Sequence, residues 1–149
     1  MKSEVWLSVS RILNILYPFK CVRRANLERG RRAEDFASYH IKYTHYQYPV
    51  RLVLEYPSLR VHVKGVIDYY NAEENVIYEV KLAHSLFLSK RHFDRYRAQL
   101  SYYYHGLGSD PDLVLVLIND GSIRKIHIRP LSLETIRRLT YSAIRSSLI

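Results

Sequence analysis

Hydrophobic and polar positions change their spacing several times along this chain, and each change marks an element. In Ser8 to Tyr17, residues Ile12, Ile15 and Leu16, with Phe19 beyond, fall on one side of a helical wheel; a serine is placed to cap the start and Pro18 discourages extension. A second helix is expected from about Asn26 to Ile41, with Ala33, Phe36, Ala37 and His40 on one face. Tyr43 to Tyr48 is aromatic and polar without a clear period, which suits a packed loop or a surface that stacks nucleotides. The period then drops to two. Val50 to Tyr56 and Arg60 to Tyr70 read as strands parted by Pro57-Ser58, and Val76 to Leu82 as a third after the polar reversal Asn71-Ala72-Glu73-Glu74-Asn75.

A helix follows from about Ser89 to His105, ended by Gly106 and Gly108. Pro111 to Ile118 is almost unbroken in its apolar character, as expected of a strand buried on both faces. Asn119-Asp120-Gly121-Ser122 is a strong hairpin signal into Ile123 to Ile128. Ser132 then caps a helix whose stripe is Leu133, Ile136, Thr140, Ala143 and Ile144. Helix, helix, three antiparallel strands, helix, two strands, helix is the order of a single-domain α/β sandwich with a central mixed β-sheet.

Three charges interrupt the strand pattern where apolar residues would be expected. Asp68 sits near the end of Gly65-Val66-Ile67-Asp68-Tyr69-Tyr70, and Glu79 and Lys81 sit two apart in the following strand. With a side-chain period of two, Ile77, Glu79 and Lys81 share one face, Val76, Tyr78, Val80 and Leu82 the other. A hairpin brings Asp68 to them. Carboxylates and an ammonium among β-branched and aromatic neighbours are costly unless they meet one another, a ligand or a metal. Two carboxylates offer hard oxygen donors to Mg²⁺, and a lysine beside them can orient a water or offset charge on a phosphodiester. An Asp that caps a turn and a Glu/Lys pair on an edge strand would write the same letters.

Glu34 is a candidate third acid, one helical turn after Gly30, where the missing side chain would let another backbone or a substrate come close. Arg23, Arg24, Arg29, Arg31 and Arg32 form a basic cluster suited to a solvated face or to the DNA backbone. On the third helix His92, Tyr96, Gln99 and Tyr103 recur along one stripe, flanked by Arg95 and Tyr102.

The totals sharpen this picture. A length of 149 residues suits one domain, and a formal net charge of +9 favours a polyanionic partner, nucleic acid ahead of a membrane surface. Cys21 is the only cysteine, which excludes an intrachain disulfide and a four-cysteine zinc or iron–sulfur site. No secretory signal or apolar membrane span is evident, so a soluble, intracellular protein is expected.

Asp68 and Glu79-Val80-Lys81 on consecutive strands resemble the signature of the PD-(D/E)xK nuclease superfamily. Ser8-Val9-Ser10-Arg11-Ile12, Gly30-Arg31-Arg32-Ala33-Glu34 and the Gln99-x-x-x-Tyr103 spacing narrow the likeness to its RecB-like branch, which includes the CRISPR-associated RecB-like nucleases. The resemblance spans Ser8 to Tyr103. It implies a DNA nuclease dependent on Mg²⁺ or Mn²⁺, with Glu34, Asp68, Glu79 and the Val80 carbonyl as metal ligands and Lys81 as the catalytic lysine. Gln99 and Tyr103 would position the strand or the lysine, and Arg95 with the amino-terminal arginines would hold DNA. The chain departs from the pattern in three ways: Glu34 stands where many relatives carry histidine, Ile67 replaces the eponymous proline, and the iron–sulfur cysteines are missing, so no cluster is expected. Junction resolvases share the superfamily, which keeps a homodimer that cuts branched DNA open, as it does a binding module without catalysis.

Overall fold

The computed structural model describes residues 1–18, 24–83 and 86–147, without the side chains of residues 24–27 and 29. Its elements are β1 (Ser3–Ser8), α1 (Val9–Leu16), α2 (Arg24–Ser38), β2 (His45–Glu55), β3 (Leu59–Asn71), β4 (Val76–Leu82), α3 (Lys90–Leu107), β5 (Asp112–Asn119), β6 (Ser122–Ile128) and α4 (Leu133–Ser147). All six strands belong to one mixed sheet. β5 lies between β4, parallel to it, and β6, antiparallel to it.

Helices pack on both faces, α2 over the β4–β5 part of its side only. Val9, Ile12 and Leu13 of α1, Ala98, Leu100 and Tyr102 of α3, and Ile136, Ala143 and Ile144 of α4 form one core with Ile77, Leu113, Leu115 and Leu117 of the sheet. Ala33 and Ala37 of α2 close the other core against Val76, Val80, Val114 and Val116. β4 and β5 therefore send alternate residues into two different cores, which is why β5 reads as continuously apolar and β4 does so apart from its charged positions. This is the expected α/β sandwich. No helix among the described residues is long and apolar enough to cross a membrane.

Local chemistry sets the boundaries. The Ser8 hydroxyl accepts the Arg11 N–H at 3.0 Å and starts α1, Ser89 does the same for α3 with His92, and Ser132 for α4 with Thr135. Gly108 ends α3 in the left-handed region at φ 74°. Asp120 and Gly121 both have positive φ, 45° and 81°, as the tight β5–β6 turn requires.

Four expectations need correction. β1 is an added strand, where the short alternation Glu4-Val5-Trp6-Leu7 pairs in parallel with β3. Tyr43 to Tyr48 is no loop throughout, since His45 already begins β2. α2 stops at Ser38, which leaves His40 and Ile41 outside it; beside Gly30, among the described residues, nothing beyond its own helix lies within 4 Å, so no second backbone packs there and the space is open. Leu133, placed in the buried stripe of α4, is 45% exposed.

Candidate active site

The sheet splits at the point where the charges fall. β2 follows β3 along its length, so β1 and β4 share its other edge: β1 takes Leu59 to Lys64, and β4 takes only Tyr69, Tyr70 and Asn71. Gly65 to Asp68 lie in the fork between them. There the Val80 N–H finds no strand partner on β3, and the Asp68 carboxylate accepts it instead at 2.9 Å. A strand residue's N–H and C=O leave the same edge, so the Val80 carbonyl faces the fork as well.

The register carries the acids together. Tyr69 pairs with Tyr78 across the antiparallel β3–β4 hairpin, so Asp68 stands opposite Glu79, the next position out. The inward–outward alternation of β3 also resets at Asp68: Ile67 belongs to the core under α1 and α3, Tyr69 to the core under α2, and Tyr70 to the first again. On β2, the residue across from Asp68 is Gln47, held at φ 52°. A left-handed residue inside a strand is uncommon without glycine, and here it coincides with the reset on β3.

A cleft of ≈ 690 Å³ opens over the fork, lined by Glu34, Asp68, Glu79, Val80, Lys81, Gln99 and Tyr103. Every residue expected to hold a metal or do chemistry thus borders one space. Glu79 is 2% exposed, its Oε1 is 3.9 Å from Lys81 Nζ, and among the described residues its Oε2 has no hydrogen-bond partner. Burial pushes its carboxyl well above the ordinary carboxylate range; Lys81 opposes this, and the adjoining Asp68 carboxyl adds to it. Burial, and then Asp68, likewise raises Glu34, while the Tyr46 hydroxyl, 3.5 Å from Glu34 Oε2, works the other way.

Lys81 lies over the ring of Tyr96, with Nζ 5.3 Å from its centroid, a cation–π contact that favours the ammonium. At the floor, Gln99 donates to the Tyr103 hydroxyl at 3.0 Å. Burial raises Tyr103, so the phenol stays neutral. Its ring passes so close to β3 that a Cβ on Gly65 would sit 2.6 Å from Tyr103 Cε1. A glycine is needed there for the floor to exist.

The three acids are unequal. Asp68 and Glu79 form the close pair, whereas Glu34 reaches across from α2 and influences Glu79 least of the charges around it. Among the described residues, no three His, Cys, Asp or Glu side chains are gathered tightly enough to surround one ion as they stand.

Of the expected DNA contacts, Arg31 and Arg32 are exposed on α2, Arg23 lies outside the described residues, and the side chains of Arg24 and Arg29 are not described. Arg95 turns inward: it donates to the Tyr17 carbonyl at 2.7 Å and to Asn14 Oδ1 at 2.9 Å, fastening α3 to the end of α1. Sequence reasoning reached Tyr46 only as part of the aromatic segment Tyr43 to Tyr48, and it missed Arg51 and Lys64. The last two line the cleft from β2 and β3. Each is a single polar letter in an alternating strand, and only the pairing of Arg51 with Lys64 across β2 and β3 makes them one basic step.

No family model matches this chain, and no curated protein does. Among solved structures, the crystal structure of SSO0001 aligns with a TM-score of 0.74 at 18% identity, over 97% of this chain and 77% of that one. A phage-related exonuclease from Haemophilus somnus 129PT aligns with a TM-score of 0.51 at 13% identity, over 93% of this chain and 77% of its own. The fold is shared with both.

Proposed function

We propose that the chain is a divalent-metal-dependent DNA nuclease of the RecB-like kind. The observation that carries this reading is the forked sheet, which sets Asp68 opposite a buried Glu79 with an unpaired oxygen and brings Lys81 to the same cleft. The likeness in fold to a phage-related exonuclease supports it.

The donors fit a hard cation. Mg²⁺ is typically held by one or two carboxylates, keeping waters and substrate oxygens for its other positions. Asp68 and Glu79 supply that pair, the Val80 carbonyl adds a neutral oxygen, and Glu34 closes the far side of the cleft. A buried carboxylate oxygen without a partner is otherwise hard to account for, since leaving one costs about 1–3 kcal/mol or more. When bound, the ion would offset charge on the phosphoryl group and lower the pKa of a water. Lys81, whose side chain is 27% exposed against 2% for Glu79, reaches further into solvent and would orient the attacking water or meet the phosphate oxygens. Gln99 and Tyr103 would keep the floor fixed beneath the strand, because their mutual hydrogen bond locks both side chains.

The test is cleavage of end-labelled linear, circular single-stranded and four-way-junction DNA with Mg²⁺ or Mn²⁺. Metal-dependent cutting that a chelator stops is expected. Cutting of circles would make the enzyme an endonuclease, and preference for junctions would make it a resolvase. Salt-sensitive binding without cleavage under either ion would reject the nuclease reading in favour of a binding module.

A further inference from the structure

Beside the cleft, the outer surface of β1, β3 and β2 is ordered in rows by the strand register. Farthest out, Arg60 pairs with Glu4 at 3.1 Å and Glu55 at 2.6 Å, which neutralises that end. The next row is Trp6, His62 and Val53, and the row after it is Ser8, Lys64 and Arg51. The fork follows. Among the described residues, Lys64 and Arg51 have no carboxylate within ion-pair distance.

Trp6 stands out in this array. It is the chain's only tryptophan, and it is 51% exposed on a strand whose neighbours Val5 and Leu7 turn into the core. His62 stacks on it with ring centroids 4.0 Å apart and planes 7° from parallel, which braces the indole. Glu4 accepts from His62 and so braces the support. Lys64 Nζ lies 4.7 Å and the Arg51 guanidinium 5.8 Å from the indole centroid, so two cations lie within reach of one exposed ring.

We propose that this surface is a nucleobase-stacking subsite: an unpaired base of the nucleic-acid strand lies on Trp6 while Lys64 and Arg51 take the adjoining phosphates and lead the backbone into the cleft. The occupant follows from chemistry. An exposed, braced aromatic suits the face of a base, and a stacked base must be free of its partner strand. Two unpaired cations beside it suit a phosphate backbone, and the same two residues line the cleft. From His62 to Asp68, β3 runs about 20 Å, so the base held here lies a few nucleotides from the reacting phosphate. The direction toward the cleft rests on the nuclease reading; the stacking does not.

Titration of the wild-type protein with oligothymidylate in the presence of a chelator, reading tryptophan fluorescence, isolates the subsite because Trp6 is the only emitter of its kind. Saturable quenching by the single strand, and little by a duplex of equal length, is expected. By anisotropy of a labelled oligonucleotide, Trp6→Ala should weaken single-strand binding about tenfold or more while Trp6→Phe keeps most of it. Lys64→Ala with Arg51→Ala should flatten the salt dependence. Unchanged fluorescence, equal quenching by duplex, or wild-type affinity in Trp6→Ala would overturn the subsite. Cleavage with a silent Trp6 would sink this inference alone, and quenching without cleavage under any metal would sink only the nuclease reading.

Discussion

Glu79 is a carboxyl group buried where ionisation is disfavoured, and on the proposed reading that makes it the residue through which stability and metal binding would be coupled. An acid whose folded pKa exceeds its unfolded value keeps its proton longer when folded, so stability is lost as pH rises from the ordinary value of 4.5 toward the raised one. The metal-free protein should therefore become easier to unfold by urea as pH climbs from 4.5 toward neutrality, and Glu79→Gln should flatten that trend. At neutral pH a divalent ion should raise the melting temperature of the wild type more than that of Glu79→Gln. Parallel pH profiles for the two proteins would contradict the assignment. At this scale the sequence was informative: period-two alternation put Glu79 and Lys81 on one face, and the hairpin put Asp68 beside them. The ranking of the acids was not legible, because Glu34 comes from another element whose approach no local pattern specifies.

At the level of elements, the candidate site lies where two paired strands depart from regular strand geometry together. Gln47 in the left-handed region faces Asp68, and the alternation of β3 resets there. Gln47→Val should cost about 1–2 kcal/mol in urea unfolding, because a β-branched residue resists that conformation, whereas Gln47→Gly should be neutral or stabilising. The reverse order would show that Gln47 is not strained. Gly65→Ala should cost about 1–3 kcal/mol by overpacking against the Tyr103 ring, measured the same way. Wild-type stability in that variant would mean the floor yields freely. Caps, glycine stops and the β5–β6 turn made most boundaries readable. The irregularity at Gln47 and Asp68 was not, because neither is a residue type that announces one, and β1 was hidden because its few alternating letters run straight into α1.

For the molecule as a whole, charge and topology act together. The net charge of +9 attracts any polyanion, and on the proposed reading the sheet would decide where a bound strand can go. Binding should weaken with salt along a log–log slope of about −2 or steeper, since each neutralised phosphate of a single strand contributes about 0.7. A flat line would remove the backbone from the interface. The α/β class followed from the order of elements in the sequence. The fork between β1 and β4 did not, since parallel pairing between β1 and β3 is a tertiary choice with no turn to signal it. That fork is what brings three charges scattered in the sequence to one cleft. The most direct test is metal-dependent cleavage of labelled DNA by wild type, Asp68→Ala and Lys81→Ala, each verified as folded by its melting transition. Cleavage by the wild type with a loss of at least about a hundredfold in both variants is the expected result; full activity in either variant would contradict the account.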